Sequence, residues 1–152
     1  MKTKKLKIFV IGDTHDSPHI PDKSRFGWFA KHISKTKPDA IVHIGDFVTL
    51  DSCTHYIKDD TYTARIEKPY FTQEIRSLEG ALEEFDYWHK YKKIPKYITF
   101  GNHERRLWRY EDKNPSFYGL GQKELLGSFA KYKWKVIPYG TYLMLGGVGF
   151  IH

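Results

Sequence analysis

The sequence predicts an α/β domain in which helices cover a sheet. Three observations lead there: short apolar runs ending in Gly-Asp or Gly-Asn, amphipathic stretches at helical spacing between them, and a length suited to one core. The chain has 152 residues, room for one domain and not comfortably for two. Residues 1–152 are therefore read as a single domain.

Leu6 to Ile11 is apolar and is cut off by Gly12-Asp13, as a buried strand would be. Residues 24–36 set Phe26, Phe29, Ala30 and Ile33 on one helical face, and Pro38 stops them. Asp39 to Ile44 repeats the strand pattern and again meets Gly-Asp. Residues 51–69 are polar and irregular. From about Phe71 to Tyr91, Ile75, Leu78, Leu82, Phe85 and Trp88 mark a second helix face. Tyr97 to Phe100 is a third strand, followed by Gly101-Asn102. A helix around Lys123–Lys131 comes next, then strand-like stretches at Lys135–Pro138, Tyr142–Leu145 and Val148–Ile151. A strand that stops at His152 is an unusual end for such a sheet, and the expectation is a domain lacking its C-terminal part.

Charge and composition narrow the functional classes. Lys and Arg total 25 against 18 acids, a formal charge of +7, which is compatible with a polyanionic partner. No apolar run approaches the roughly 18–20 residues of a membrane span, so no membrane partner is expected. The basic start, Lys2, Lys4, Lys5 and Lys7, leads into too short an apolar run for a secretory signal. Cys53 is the sole cysteine, so there is no intrachain disulfide, and a cytoplasmic setting in a bacterial or phage-infected cell is expected.

Four strands deliver chemistry at their carboxyl ends, where α/β sheets build their sites. The first delivers Asp13, Thr14 and His15, the second Asp46, the third Asn102, His103 and Glu104, and the last His152. Taken singly, Asp13, Asp46 and Asn102 could be turn or capping residues. Three glycine-flanked motifs in this order argue instead for a site. Carboxylate and amide oxygens mixed with imidazoles, and no thiolate, suit Mn, Fe, Zn or a similar divalent ion. Two such ions about 3.5–4 Å apart can clamp a phosphate ester and generate the attacking hydroxide.

On Gly12-Asp13-Thr14-His15, Gly45-Asp46 and Gly101-Asn102-His103-Glu104, with His152 as a fourth element, the sequence resembles the calcineurin-like metallophosphoesterase superfamily. The run Arg105-Arg106-Leu107-Trp108-Arg109-Tyr110 is similar to that of phage and bacterial members of unassigned substrate. The resemblance implies an αββα sandwich and two divalent ions, manganese foremost, with iron, zinc, nickel or magnesium as alternatives. It implies that Asp13 and His15 bind one ion, Asp46 bridges both, and Asn102 and His152 bind the second. His103 would stay outside the metal shell and serve the leaving oxygen. By their own chemistry Arg105, Arg106 and Arg109, which follow it, could grip substrate phosphates, with a solvated or ion-paired helix face as the alternative and Arg105 placed in the catalytic set.

Two departures from the family pattern stand out. The final Gly-His-x-His motif is missing, which leaves the metal shells short of two ligands. The position three residues after Asp46, where some members carry an Asp that orients the catalytic His, holds Thr49, and the nearest acid is Asp51. The Ser/Thr protein phosphatase pattern is likewise absent.

The expected function is thus metal-dependent hydrolysis of a phosphate ester, a phosphodiester foremost, with nucleic acid as a candidate substrate. The rivals are a catalytically silent fragment, a binding scaffold, or one half of a split enzyme whose second chain supplies the missing motif. Self-association through an unpaired sheet edge is also expected. Elsewhere, His43 reads as a core histidine, and His19, His32, His55 and His89 as surface or packing residues. Cys53 reads as an ordinary thiol, and Lys90, Lys92, Lys93 and Lys96 as a solvated helix end. Tyr56, Tyr62, Tyr70, Trp108 and Tyr110 are expected to pack in the core or an interface, with base stacking as the alternative.

Overall fold

A computed structural model describes residues 5–58, 61–62 and 67–152. Part of the polar stretch 51–69, namely 59–60 and 63–66, lies outside the described residues, as do Lys2 and Lys4. The four apolar runs before residue 138 form one sheet: β1 (Ile8–Ile11), β2 (Ala40–His43), β3 (Lys96–Thr99) and β4 (Trp134–Ile137). The strands lie in the order β1-β2-β3-β4 and every pairing is parallel. All four carboxyl ends therefore open at one edge of the sheet. Each connection carries helix: α1 (Ser24–Thr36), α2 (Phe71–Trp88), and the pair α3 (Asn102–Lys113) and α4 (Leu120–Lys131).

Alternation along the strands decides what faces the helices. Ile11, Ile41, Ile98 and Trp134 join Phe26, Ala30 and Ile33 of α1, Leu78, Leu82 and Phe85 of α2, and Leu125 and Phe129 of α4 in one core. Phe47 stacks on Phe26 at 5.1 Å and meets Phe129 edge-on at 5.5 Å, so the exit of β2 is itself a core element. A separate antiparallel hairpin, β5 (Leu143–Leu145) and β6 (Val148–Phe150), follows β4 and ends at His152. Its turn rests near Leu6, just before β1.

Two sequence expectations are corrected here. The segment after Gly101 is a 12-residue helix, α3, where no helix was expected. Its buried face is Glu104, Leu107 and Glu111, spaced by three and four residues, so an acidic seam replaces the usual apolar stripe. Lys96 is not part of a solvated helix end. Helix α2 stops at Trp88, and Lys96 opens β3, only 4% exposed, with its ammonium 3.5 Å from Asp86 and near the Phe85 and Trp134 rings. Three of the tyrosines expected in packing, Tyr56, Tyr62 and Tyr70, are exposed instead. Trp108 does pack, edge-on to Phe100.

Candidate metal centre

Strand ends bring the motifs together because backbone bonds tie one exit to the next. The amides of Thr14 and His15 both donate to the Asp46 carbonyl, and Asp16 and Val48 form a parallel bridge. His15 and Asp46 each sit at positive φ, 45° and 50°, where non-glycine residues are uncommon. Strain of this kind persists only where the surroundings over-determine it. Gly45, at φ 101°, carries the chain into this turn. A Cβ there would lie 2.7 Å from the Thr99 carbonyl and 2.8 Å from His152 Nδ1. A Cβ on Gly101 would run into the Asp46 carboxylate and lie 2.7 Å from the Asp46 nitrogen, so only glycine lets the two loops touch.

Glu104 locks that contact. It is fully buried in the first turn of α3, and its carboxylate accepts four backbone N–H bonds. Oε2 takes those of Gly101 (2.7 Å) and Asp46 (3.0 Å), and Oε1 those of Phe47 (2.7 Å) and Val48 (3.2 Å). Burial pushes its pKa up while the N–H bonds pull it down, with burial the larger influence. Glu74, in the first turn of α2, does the same one step later, accepting the N–H groups of Asp51 and Ser52 and the Ser52 hydroxyl. Glu104 stands in the third motif but was given no role from sequence, and Glu74 was not singled out at all. The available signal was Gly101-x-x-Glu104, the spacing of a helix N-cap and a residue that reaches back to it.

The motif side chains converge on Asp46. Its Oδ2 is 3.4 Å from His152 Nε2 and 3.9 Å from His103 Nε2. Asp13 lies 3.8 Å from His15 through one oxygen and 3.8 Å from His152 through the other. His152 Nε2 is 2.9 Å from the Asn102 amide oxygen, and its Nδ1 is 2.8 Å from the Ile44 carbonyl. Both ring nitrogens of His152 thus face acceptor oxygens, Nδ1 the Ile44 carbonyl and Nε2 those of Asn102 and Asp46. Two groups have ligand atoms within 4.8 Å of one another: His15, Asp46 and His103, and Asp13, Asp46 and His152. Asp46 is common to both. Close-set oxygens with imidazole nitrogens fit a pair of borderline or hard divalent ions.

His103 is oriented without the carboxylate that Thr49 replaces. Its Nδ1 lies 2.9 Å from the Thr49 carbonyl, so a backbone oxygen fixes the ring and its Nδ1–H tautomer. Arg106 completes the arrangement: it donates to the same carbonyl (2.8 Å) and to Asp51 Oδ1 (3.0 Å), and its other nitrogen is 3.3 Å from His103 Nε2. Burial, with the Arg106 charge adding to it, holds the His103 pKa below the ordinary histidine value. His15 meets the His103 ring edge-on at 4.6 Å.

Arg105 points elsewhere. One residue along a helix is a turn of roughly 100°, and its guanidinium lies over the Tyr139 ring at 4.8 Å, away from His103. His43 is fully buried, and desolvation lowers its pKa to about 3. It accepts the Gly45 N–H and meets the Thr14 hydroxyl, supporting the site from beneath. Burial raises the Cys53 thiol to about 11, which leaves it an inert packing group.

The family model described as calcineurin-like phosphoesterase matches residues 6–150. The chain belongs to that family. As a calcineurin-like phosphoesterase with two side-chain clusters that could hold metal ions and share one aspartate, it is a metal-dependent hydrolase. No curated protein matches the chain. Among the described residues, no helix of this calcineurin-like phosphoesterase is long and apolar enough to cross a membrane.

Proposed function

We propose that the chain hydrolyses phosphodiesters with two manganese ions, in the manner of the phage and bacterial members that its Gly-Asn-His-Glu-Arg-Arg-Leu run resembles. The observation that carries this is the position of Asp46, whose Oδ2 stands within 4 Å of imidazole nitrogens from two different strand ends. In this reading Asp13 and His15 hold one ion, Asn102 and His152 the other, and Asp46 both. A divalent pair there supplies positive charge to the phosphoryl oxygens and acidifies water for in-line attack.

The remaining work falls to protein groups. His103, its Nδ1–H committed to the Thr49 carbonyl, serves the leaving oxygen as the imidazolium, whose Nε2–H gives up its proton and leaves the neutral Nδ1–H ring. Of the three arginines expected to grip the phosphate, Arg106 is the one that adjoins His103, and it takes that role at the scissile phosphate in this reading. A diester is favoured over a monoester because cations continue beyond the centre along α3, where Arg109 and Lys113 follow Arg106. Nucleic acid is the diester this charge pattern suits best.

Calorimetric titration of Mn²⁺ into metal-free protein, with Asp46→Asn as control, tests the reading. Two ions per chain, both lost in the variant, with metal-dependent hydrolysis of bis(p-nitrophenyl) phosphate, are expected. A single ion unaffected by Asp46→Asn, or no ion at all, overturns it and leaves a binding scaffold.

A further inference from the structure

Beside the metal centre lies a cavity of about 340 Å³, at the lower end of the range for small-ligand pockets. It shares Asn102 and Arg106 with the centre and runs outward between α3 and the segment 53–58. Four cations line it, Lys58, Arg106, Arg109 and Lys113, with His55 beside them and, among the described residues, no carboxylate in the wall. Arg106 is paired with Asp51, whereas Lys58, Arg109 and Lys113 have no ion-pair partner among the described residues. Tyr56 and Tyr110 add ring surface. Tyr56 is 78% exposed, with the His55 ring against it at 4.2 Å.

Unneutralised cations cost self-repulsion, and an exposed tyrosine face gains nothing from the fold. Both are explained by a ligand that brings negative charge and a flat ring into the groove beside Asn102. We propose that this groove is a subsite for the nucleotide flanking the scissile phosphate of single-stranded nucleic acid. Arg109 and Lys113 contact the flanking phosphate and Tyr56 stacks on its base. A duplex would keep its bases paired and out of reach of Tyr56, so a single strand is the form the groove fits. The inference deepens the phosphodiesterase reading and rests on it for the position of the scissile phosphate.

Binding can be measured apart from catalysis, with fluorescein-labelled dT8 and the intact metal-free chain in EDTA, followed by anisotropy. The double variant R109A/K113A is expected to weaken binding at least 30-fold. It should also flatten the slope of log K against log salt by about 0.7, the value for one lost phosphate contact. Tyr56→Ala should cost about tenfold with the salt slope unchanged, and Lys135→Ala, which removes a charge on β4 outside the groove, should change affinity less than twofold. Failure of dT8 to bind at low salt, or equal weakening by R109A/K113A and K135A once corrected for charge, overturns the subsite. Hydrolysis of bis(p-nitrophenyl) phosphate by the wild-type chain reports on the phosphoesterase reading separately. Groove-dependent dT8 binding without hydrolysis supports the subsite and removes that reading; hydrolysis without groove-dependent binding does the reverse.

Discussion

Replacing Glu104 by glutamine changes one oxygen to an NH₂ group and nothing in size, yet it should be among the costliest conservative changes in the chain. The carboxylate accepts four backbone N–H groups, two on each oxygen. Glutamine keeps one acceptor oxygen, so two buried donors lose their partner and face a third donor. Each stranded buried donor costs about 1–3 kcal/mol, which places the loss at about 4 kcal/mol. At about 2–4 °C per kcal/mol for a domain of this size, the Tm should fall by about 10 °C. Urea unfolding followed by tryptophan fluorescence gives the free energy directly, with an unchanged m-value showing that the unfolded state is not the cause. The same variant should lose Mn²⁺ affinity, because the stranded donors on Asp46 and Gly101 belong to the loops that carry Asp46 and Asn102. A Glu104→Gln protein within about 1 kcal/mol of wild type and with unaltered metal titration would refute the view that this carboxylate holds the two loops together.

Gly101→Ala should separate site geometry from stability, since its Cβ would push on the Asp46 carboxylate; calorimetry should show metal affinity falling tenfold or more. Asp16→Ala should destabilise by about 3–5 kcal/mol in urea unfolding. The buried carboxylate receives Lys23 (2.7 Å), Arg25 (3.0 Å) and the Ser77 hydroxyl (2.7 Å), and its loss strands two charges between α1 and α2. His89 is buried, and desolvation, reinforced by Lys96 and Lys92 against Asp86, lowers its pKa from 6.5 to about 4. The unfolded chain takes up that proton first, so stability is complete above pH 6.5 and declines as pH falls toward 4, by about 3 kcal/mol in all. His89→Phe should remove that dependence from a pH series of urea melts.

The strands were legible because a parallel sheet demands continuous apolar runs, and Gly-Asp or Gly-Asn punctuated each of the first three. Helix α1 was legible to the residue, its apolar spacing ending in a left-handed turn at Lys37 before Pro38. Helix α3 was not, since a hydrophobic pattern cannot reveal a face buried as Glu104, Leu107 and Glu111. That miss had a second effect. Without the phase of α3, Arg105 and Arg106 are indistinguishable in the sequence, although only Arg106 reaches His103. The motifs named the residues that converge on Asp46, but not their pairing. His152 approaches Asp13 as well as Asn102, because a hairpin of only three-residue strands swings it across the sheet edge.

The turn leaving β2 spends its amides on the protein itself. The N–H of Gly45 goes to His43, those of Asp46, Phe47 and Val48 to Glu104, that of Thr49 to the Asp16 carbonyl, and those of Asp51 and Ser52 to Glu74. Many phosphate sites do the opposite and turn a run of free amides outward as a cradle for the anion. Here that route is closed, and the loop presents acidic side chains instead. At the exit of β2 an anion is therefore left to bound cations and to long basic side chains such as those rooted on α3. Selectivity among phosphate esters then resides in residues that project from a finished helix surface, where one side chain can be exchanged for another while the backbone of the centre stays as it is.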